Sequence, residues 1–350
     1  MRRKIILGFI FLLIVTAAFL GWLFLSDATK QDKGSRFLYI KTKESSYEAL
    51  LKTLNDSGYI DNVSRFDFVA RKMGLPEKIK PGRYEIKKGT SIVDLVRILK
   101  NGRQAPLNLV ITKFRTRESF AGLVARKFEA DSLSLLSFMN NNDSLKPYGL
   151  DTNTVMVGLF PNTYQFYWNA SPSLIFKTLF EEKNRFWTKE RIQLAESKKL
   201  TPVTAYILAS IVEEETLANE EKDTIASVYL NRYYKGMPLQ ADPTVKFALR
   251  DFGLKRIYEK HTKFLSPYNT YQVKGFPPGP ICTPSPTTLN AVLNAPITKY
   301  FYFVANSNYS GTHLFSETYE QHLKFAKQFH EAQDEQEKIK ANKSSDGSIK

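Results

Sequence analysis

The chain has 350 residues, 43% of them hydrophobic and 13% aromatic, which suits one large or two modest globular domains and argues against a disordered polymer. Its 50 Lys and Arg residues outnumber its 35 Asp and Glu residues, and the net charge of +15 favours an anionic partner, although an ordinary basic surface would explain it equally well. The single cysteine, Cys282, excludes an intramolecular disulfide and a cysteine-based metal site, and we expect it to be a small buried hydrophobe.

The first 25 residues predict a membrane anchor. Residues 1–4 (MRRK) precede residues 5–25, a run of 21 residues without a charge. At about 1.5 Å per residue, a helix of this length spans the roughly 30 Å hydrocarbon core of a bilayer. A cleaved signal peptide would have a shorter apolar region and a small-residue cleavage site, which TAAFLG does not provide. We expect an uncleaved single-pass anchor in the inner (cytoplasmic) membrane, with the N-terminus cytoplasmic and the remaining chain extracytoplasmic, a placement that argues against nucleic acid as a partner.

Residues 26–36 are polar and predict a linker, and a small α/β subdomain follows over residues 37–106. It should begin with a strand at 37–42 and a helix opened by a capping box of Ser45 and Glu48. A further helix is predicted at 64–73. The apolar face of the first of these helices has four residues at helical spacing: Tyr47, Leu50, Leu51 and Leu54.

Residues 84–102 predict a strand, a Gly-Thr-Ser turn and a helix that Gly102 ends. The apolar face of this helix contains Ile92, Leu95, Val96 and Leu99. The segment resembles a LysM-like module, a kind of module that binds N-acetylglucosamine polymers. A small packing subdomain without sugar contact is the alternative.

Residues 107–330 predict a larger mixed α/β domain, so the expected fold class is α+β. The predicted strands lie at 107–113 and 299–306, with an aromatic strand or loop at 158–168. The predicted helices lie at 116–128, 172–198, 202–218 and 220–234. Residues 236–315 are richer in Pro, Gly, Thr and Tyr and should be more irregular, and residues 331–350 predict a polar tail that frays.

The stretch LASIVEEET places three consecutive carboxylates at the end of an apolar helix. On a helix over residues 203–218, Glu215 lies beside Ile211 and Val212, one turn beyond Leu208, and is the carboxylate most expected to turn inward. Burial raises the pKa of a carboxyl group, as a general acid near neutral pH requires. An exposed acidic turn is the alternative, although negative charge at a helix C-terminus opposes the macrodipole.

Five motifs in chain order resemble the YceG-like family of endolytic murein transglycosylases: ASIVEEET, IASVYLNR, GMPLQADPTV, YNTY and GFPPGPI. The resemblance also takes in the N-terminal anchor, the LysM-like segment, LFPNTY and YFYFVAN…GTHLFS. It implies a lytic cut between N-acetylmuramic acid and N-acetylglucosamine in peptidoglycan, leaving 1,6-anhydro ends on strands that emerge at the membrane beside cell-wall synthases. Two departures are Asn162, where the family commonly has Asp, and the loop at residues 280–285.

The family pattern implies that Glu215, the second glutamate of Glu-x-Glu-Thr, is catalytic. It also implies five substrate-binding residues: Gln240, Asp242, Thr244, Asn269 and Tyr271. No metal or cofactor is expected, because the chain has no HExxH, GxSxG or Walker-type motif.

Two alternative functions stay open at this stage. If Asp242 approaches Glu215 across a water-sized gap, the chain would be a hydrolytic muramidase with two carboxylates, although Asp242 could equally cap a turn. A membrane-tethered peptidoglycan-binding protein without catalysis is the other alternative. A desolvated Glu215 in a groove would favour the enzyme, and a fully exposed one the binding protein.

Overall fold

The computed structural model describes residues 2–29 and 34–346. Residues 30–33 of the predicted linker, residues 347–350 of the predicted tail and Met1 lie outside the described residues. The chain divides into two compact units, and the second contains residues 110–123, 132–164 and 172–350. Helices and two-stranded sheets occur together, in agreement with the α+β class.

The first unit comprises residues 1–109, 124–131 and 165–171. Its main elements are α1 (Arg2–Leu25), β1 (Ser35–Ile40), α2 (Tyr47–Asp56), α3 (Val63–Lys72), β2 (Gly82–Lys87) and α4 (Ile92–Asn101). Among the residues whose side chains are described, no helix is both long enough and apolar enough to cross a membrane.

A two-stranded antiparallel sheet and three helices build the core of the first unit. β1 pairs with β2 so that Ser35 lies opposite Lys87 and Ile40 opposite Gly82. All four apolar residues predicted for the face of α4 are buried, and Gly102 ends this helix at φ +67°. The strand–turn–helix prediction for residues 84–102 is therefore confirmed.

Two segments of the first unit differ in detail from the prediction. α2 is capped by Ser46, whose hydroxyl accepts a hydrogen bond from the Ala49 amide, and not by Ser45. Part of the predicted linker packs onto the unit, because Ala28 is buried and its amide donates to the Thr90 carbonyl. The Asp27 carboxylate accepts hydrogen bonds from the backbone amide and the hydroxyl of Thr29, two residues along the chain.

The elements that follow are mostly helical, with two further two-stranded sheets, β3 with β4 and β5 with β6. In chain order they are β3 (Leu107–Ile111), α5 (Arg117–Lys127), α6 (Ser132–Met139), α7 (Asn142–Leu145), β4 (Asn162–Phe166), α8 (Pro172–Phe186), α9 (Lys189–Ser197), α10 (Pro202–Glu215), α11 (Lys222–Tyr234), α12 (Asp242–Leu249), α13 (Glu259–Thr262), α14 (Pro286–Leu293), β5 (Tyr302–Ala305), β6 (His313–Ser316) and α15 (Tyr319–Asp346).

The central helix of the second unit is α10. Every residue from Ala205 to Val212 is buried, and α11, α12 and α14 pack against this helix. A helix that is apolar on all sides is stable only when other elements surround it. α10 begins with a capping box of Thr201 and Thr204, and it ends at Glu215 because Thr216 is extended. The three glutamates are therefore its last three residues.

Three regions depart from the helix predictions. The helix expected over 172–198 is two helices, because Thr188 caps α9 and breaks the run. The irregular region 236–315 contains α12 and α14, both opened by a proline in the first turn. α15 continues through most of the predicted tail.

Candidate active site

The last three residues of α10 send their carboxylates to three different environments. Glu213 lies 3.3 Å from the ammonium of Lys222, and the hydroxyls of Ser285 and Thr288 donate to it. Burial alone would raise the pKa of Glu213, but the hydrogen bonds and the Lys222 charge outweigh it, and the pKa is lowered. Glu213 is therefore a structural anion that fastens the end of α10 to α11 and α14.

Glu214 faces two cations from the segment after β3. The guanidinium of Arg115 lies 2.7 Å from one carboxylate oxygen, and the ammonium of Lys113 lies 3.1 Å from the other. The Glu214 side chain is only 11% exposed. Within the described residues, Glu214 is therefore the ion-pair partner of Lys113 and Arg115.

Glu215 lines a polar cavity of about 240 Å³ and accepts a hydrogen bond from the Tyr229 hydroxyl. The residue is half-buried. Burial raises the pKa of Glu215 to about 7, the Tyr229 hydrogen bond opposes this rise, and the nearby Asp242 charge adds to it. A carboxyl group with this pKa is protonated in a large fraction of molecules near neutral pH.

Enclosure alone does not distinguish the three carboxylates, because Glu213 and Glu214 are also largely enclosed, at 15% and 11% side-chain exposure. What separates Glu215 is charge. Each of the other two carboxylates has a cation within 4 Å, whereas Glu215 has none among the residues that the structure describes. Burial therefore raises the pKa of Glu215 without a cation within 4 Å to offset it.

Three of the predicted substrate-binding residues, Gln240, Asp242 and Tyr271, meet Glu215 at this cavity. The Tyr271 hydroxyl donates to the Asp242 carboxylate at 2.6 Å, and the Gln240 side chain accepts from the Arg232 guanidinium at 3.2 Å. Asp242 and Gln240 are exposed and so accessible to a ligand.

The other two predicted residues, Thr244 and Asn269, do not line the cavity. Both are fully buried. The Thr244 hydroxyl is hydrogen-bonded to Ala241 and Thr270, and the Asn269 amide donates to the carbonyls at 262 and 264. These hydrogen bonds hold the segments that contain Asp242 and Tyr271. Thr244 and Asn269 therefore lie behind the cavity wall and do not face the cavity.

Five further residues of the cavity wall were not predicted from the sequence: Tyr229, Arg232, Leu239, Phe303 and His322. Arg232 is buried and donates to the Phe301 and Leu239 carbonyls, and burial lowers its pKa. The IASVYLNR motif contained a signal for two of them, since Tyr229 and Arg232 are three positions apart on one helix face. Phe303 lies in YFYFVAN and Leu239 in GMPLQADPTV, two other stretches that carry the family resemblance. His313 does not line this cavity and is hydrogen-bonded to Glu221 at 3.0 Å.

The chemistry available here is that of one carboxyl group with a raised pKa, Glu215, beside the Asp242 carboxylate, the Arg232 guanidinium and neutral hydrogen-bonding groups. Within the described residues, no cluster of His, Cys, Asp and Glu could hold a metal ion. Cys282 is buried as predicted, where its thiol contacts the Ser210 carbonyl at 3.3 Å. The arrangement suits proton transfer to and from a bound sugar.

Comparison with known proteins gives consistent matches. The pattern of the YceG-like family matches residues 38–328. The endolytic murein transglycosylase of Bacillus subtilis strain 168 is 27% identical over 329 residues, which cover 89% of this chain and 90% of that protein. The protein of the same name from Streptococcus pneumoniae serotype 2 strain D39 is 26% identical over 300 residues, covering 75% of this chain and 53% of that protein.

One solved structure is also similar. The 2.6 Å crystal structure of a yceG-like protein from Listeria monocytogenes shares 29% identity and a TM-score of 0.54 with this chain. The match covers 84% of this chain and 99% of that structure.

Proposed function

The chain belongs to the YceG-like family, and we propose that it is an endolytic murein transglycosylase. As such it is a lyase that cuts the β-1,4 bond between N-acetylmuramic acid and N-acetylglucosamine inside glycan strands and leaves 1,6-anhydro ends. The observation that carries the assignment to this site is Glu215, a half-buried carboxyl group with a pKa of about 7 in a polar cavity. This environment favours an enzyme over a non-catalytic binding protein.

The first half of the reaction uses Glu215 as an acid. Its carboxyl proton passes to the glycosidic oxygen as the bond from C1 of the muramic sugar to that oxygen breaks. The N-acetylglucosamine side of the strand leaves with a new hydroxyl. The acetamido group of the muramic sugar stabilises the positive charge at C1.

The second half uses the same residue as a base. Ionised Glu215 removes the proton from the C6 hydroxyl of the muramic sugar, and the C6 oxygen bonds to C1. Glu215 ends the cycle protonated, and no water is consumed. One carboxyl group therefore completes the reaction, whereas a glycoside hydrolase ordinarily needs two.

The neighbouring groups bind and orient the sugars. Gln240 and Tyr271 offer neutral polar atoms at the cavity wall, and Phe303 offers an aromatic face. Tyr229 is 1% exposed and holds the Glu215 carboxylate through its hydroxyl. A group fixed in this way keeps the proton donor in place while the substrate binds.

Asp242 supports one alternative, hydrolysis by a muramidase. It lines the same cavity and its charge raises the pKa of Glu215. In that case Asp242 would activate a water molecule, and the product would have a reducing end. The hydrogen bond that Asp242 accepts from Tyr271 favours a positioning role instead.

Mass spectrometry of digested peptidoglycan tests the function. We expect wild-type protein to release 1,6-anhydro ends and Glu215→Gln to release none, because the amide cannot donate the proton. Glu220→Gln is the matched control, since Glu220 is exposed and lies outside the cavity. Reducing ends would identify a muramidase, and full activity of Glu215→Gln would remove the assignment of Glu215.

We further propose that residues 5–25 anchor the chain in the cytoplasmic membrane, on the basis of their 21 uncharged residues. The anchor would keep the second unit on strands that emerge at the membrane, where cell-wall synthases act. Separation of cell membranes from soluble fractions tests this, with removal of residues 1–25 expected to release the protein.

The LysM-like segment is proposed as an accessory sugar contact, which binding of N-acetylglucosamine oligomers would test.

A further inference from the structure

A second cavity has a volume of about 170 Å³. Its wall includes Glu214 and Pro243, which are the neighbours in sequence of Glu215 and Asp242 in the wall of the first cavity. The end of α10 and the start of α12 therefore each contribute one residue to both walls.

The wall of the second cavity has an excess of positive charge. Lys113 and Arg115 share the single carboxylate of Glu214, at 3.1 Å and 2.7 Å. Lys246 also lines the cavity, and its ammonium makes no hydrogen bond or ion pair with any residue that the structure describes. The wall itself therefore has two cations, Arg115 and Lys246, and one anion, Glu214, whose charge Lys113 also compensates from outside the lining. The half-buried Lys246 is available to an anionic ligand.

The same wall also has aromatic groups. Phe247 and Phe252 line the cavity, and the Arg115 guanidinium lies over the Phe252 ring at 5.2 Å from its centroid. Unpaired positive charge beside aromatic faces suits a short peptide with carboxylates and small apolar side chains. A bare sugar would use the aromatic faces but not the charge.

We propose that this second cavity is a subsite for the stem peptide of peptidoglycan, with Lys246 and Arg115 binding a peptide carboxylate. The inference rests on the proposed function. The stem peptide is attached through a lactyl ether to C3 of the muramic sugar, whose C1 carries the bond that is cut. A muramic sugar placed against Glu215 therefore projects its peptide from a position close to this cavity. The subsite would make the enzyme specific for peptide-bearing strands.

Lys246→Gln tests the subsite, because the Lys246 ammonium makes no hydrogen bond or ion pair within the described residues, whereas Arg115 also holds Glu214. The Lys246 charge also lowers the pKa of Glu215, an effect that acts equally on both kinds of strand. Initial rates are measured on glycan strands that carry stem peptides and on the same strands stripped of them by an amidase. At about pH 5.5 Glu215 is mainly protonated and peptide carboxylates are mainly ionised. We expect KM to rise about fivefold on peptide-bearing strands, with kcat unchanged, and to change by less than about twofold on stripped strands.

Two matched variants complete the experiment. Lys246→Arg keeps the positive charge, so its KM on peptide-bearing strands should stay close to the wild-type value. Lys177→Gln removes one positive charge from α8 at a residue that lines neither cavity, and it should leave KM unchanged on both. An equal change on both strand types, or no change on either, would overturn the subsite. A wild-type protein that cleaves neither preparation would overturn the proposed function instead.

Discussion

The hydroxyl of Tyr229, in the middle of α11, donates a hydrogen bond to the carboxylate of Glu215 at the end of α10. The bond favours the ionised form of Glu215, whereas burial favours the protonated form. These opposed effects leave the Glu215 pKa at about 7. Tyr229 therefore holds the carboxyl group in place and also limits how far its pKa rises.

Tyr229→Phe should move the pH profile of cleavage to higher pH. Removing the donor to an ionised carboxylate raises the Glu215 pKa by about one unit, since such bonds contribute roughly 1.5 kcal/mol. The measurement is kcat/KM against pH. Asp242→Asn should shift the pH profile in the opposite direction, to lower pH, because the negative charge that raises the Glu215 pKa is lost. Shifts in the same direction for both variants would contradict this account.

The wild-type enzyme should lose activity as the pH rises through about 7. The reaction begins with a protonated Glu215, and above its pKa the protonated fraction falls tenfold per pH unit. We expect kcat/KM to decline with that slope on the alkaline side. A profile that is flat between about pH 6 and pH 9 would exclude Glu215 as the acid.

Glu215→Gln should be more stable to unfolding than the wild type at alkaline pH. The folded-state pKa of about 7 exceeds the ordinary glutamate value of 4.5, so the unfolded chain binds fewer protons between these pH values and stability falls as the pH rises through this window. The neutral amide avoids this loss. We expect a gain of about 1–3 kcal/mol in the free energy of unfolding near pH 8 and little difference near pH 4. Urea denaturation at the two pH values measures it.

Gly279→Ala should destabilise the second unit. An added Cβ atom would lie 2.0 Å from the Asn153 carbonyl oxygen and 2.9 Å from the Tyr268 hydroxyl. The backbone carbonyl cannot move without displacing its loop, so we expect a cost of about 2–3 kcal/mol. The thermal midpoint measures this cost. Gly253→Ala is the control, because its added Cβ atom would lie 3.5 Å from an Asp251 carboxylate oxygen, an ordinary contact distance.

Local patterns in the sequence were sufficient for single elements. The apolar face of α4 and its terminating Gly102 follow from residue spacing and glycine chemistry alone. The family resemblance identified Gln240, Asp242 and Tyr271, which the structure places beside Glu215. These predictions concern residues whose signal lies within one motif.

Long-range partners could not be predicted. Arg115 reaches Glu214 across 99 positions, and Ser285 reaches Glu213 across 72. Helix spacing alone could not show that Glu214 is paired with a cation or that the Glu213 carboxylate is hydrogen-bonded by a distant loop. His322 lines the cavity from α15, a position that no local pattern indicates.

Lys222→Met should destabilise the protein strongly and also reduce cleavage. The Lys222 and Glu213 side chains are 5% and 15% exposed, and the Lys222 ammonium also donates to Thr288 at 2.9 Å. Removing the cation leaves a buried carboxylate uncompensated, at a cost of about 3–5 kcal/mol.

Glu213→Leu combined with Lys222→Met removes both charges and should recover part of that loss. Lys324→Met breaks an exposed pair with Glu320 and should cost under about 1 kcal/mol. Because Glu213 lies two residues before Glu215, the double variant should keep its fold yet cleave more slowly, and equal rates for it and the wild type would show that this ion pair does not position the acid.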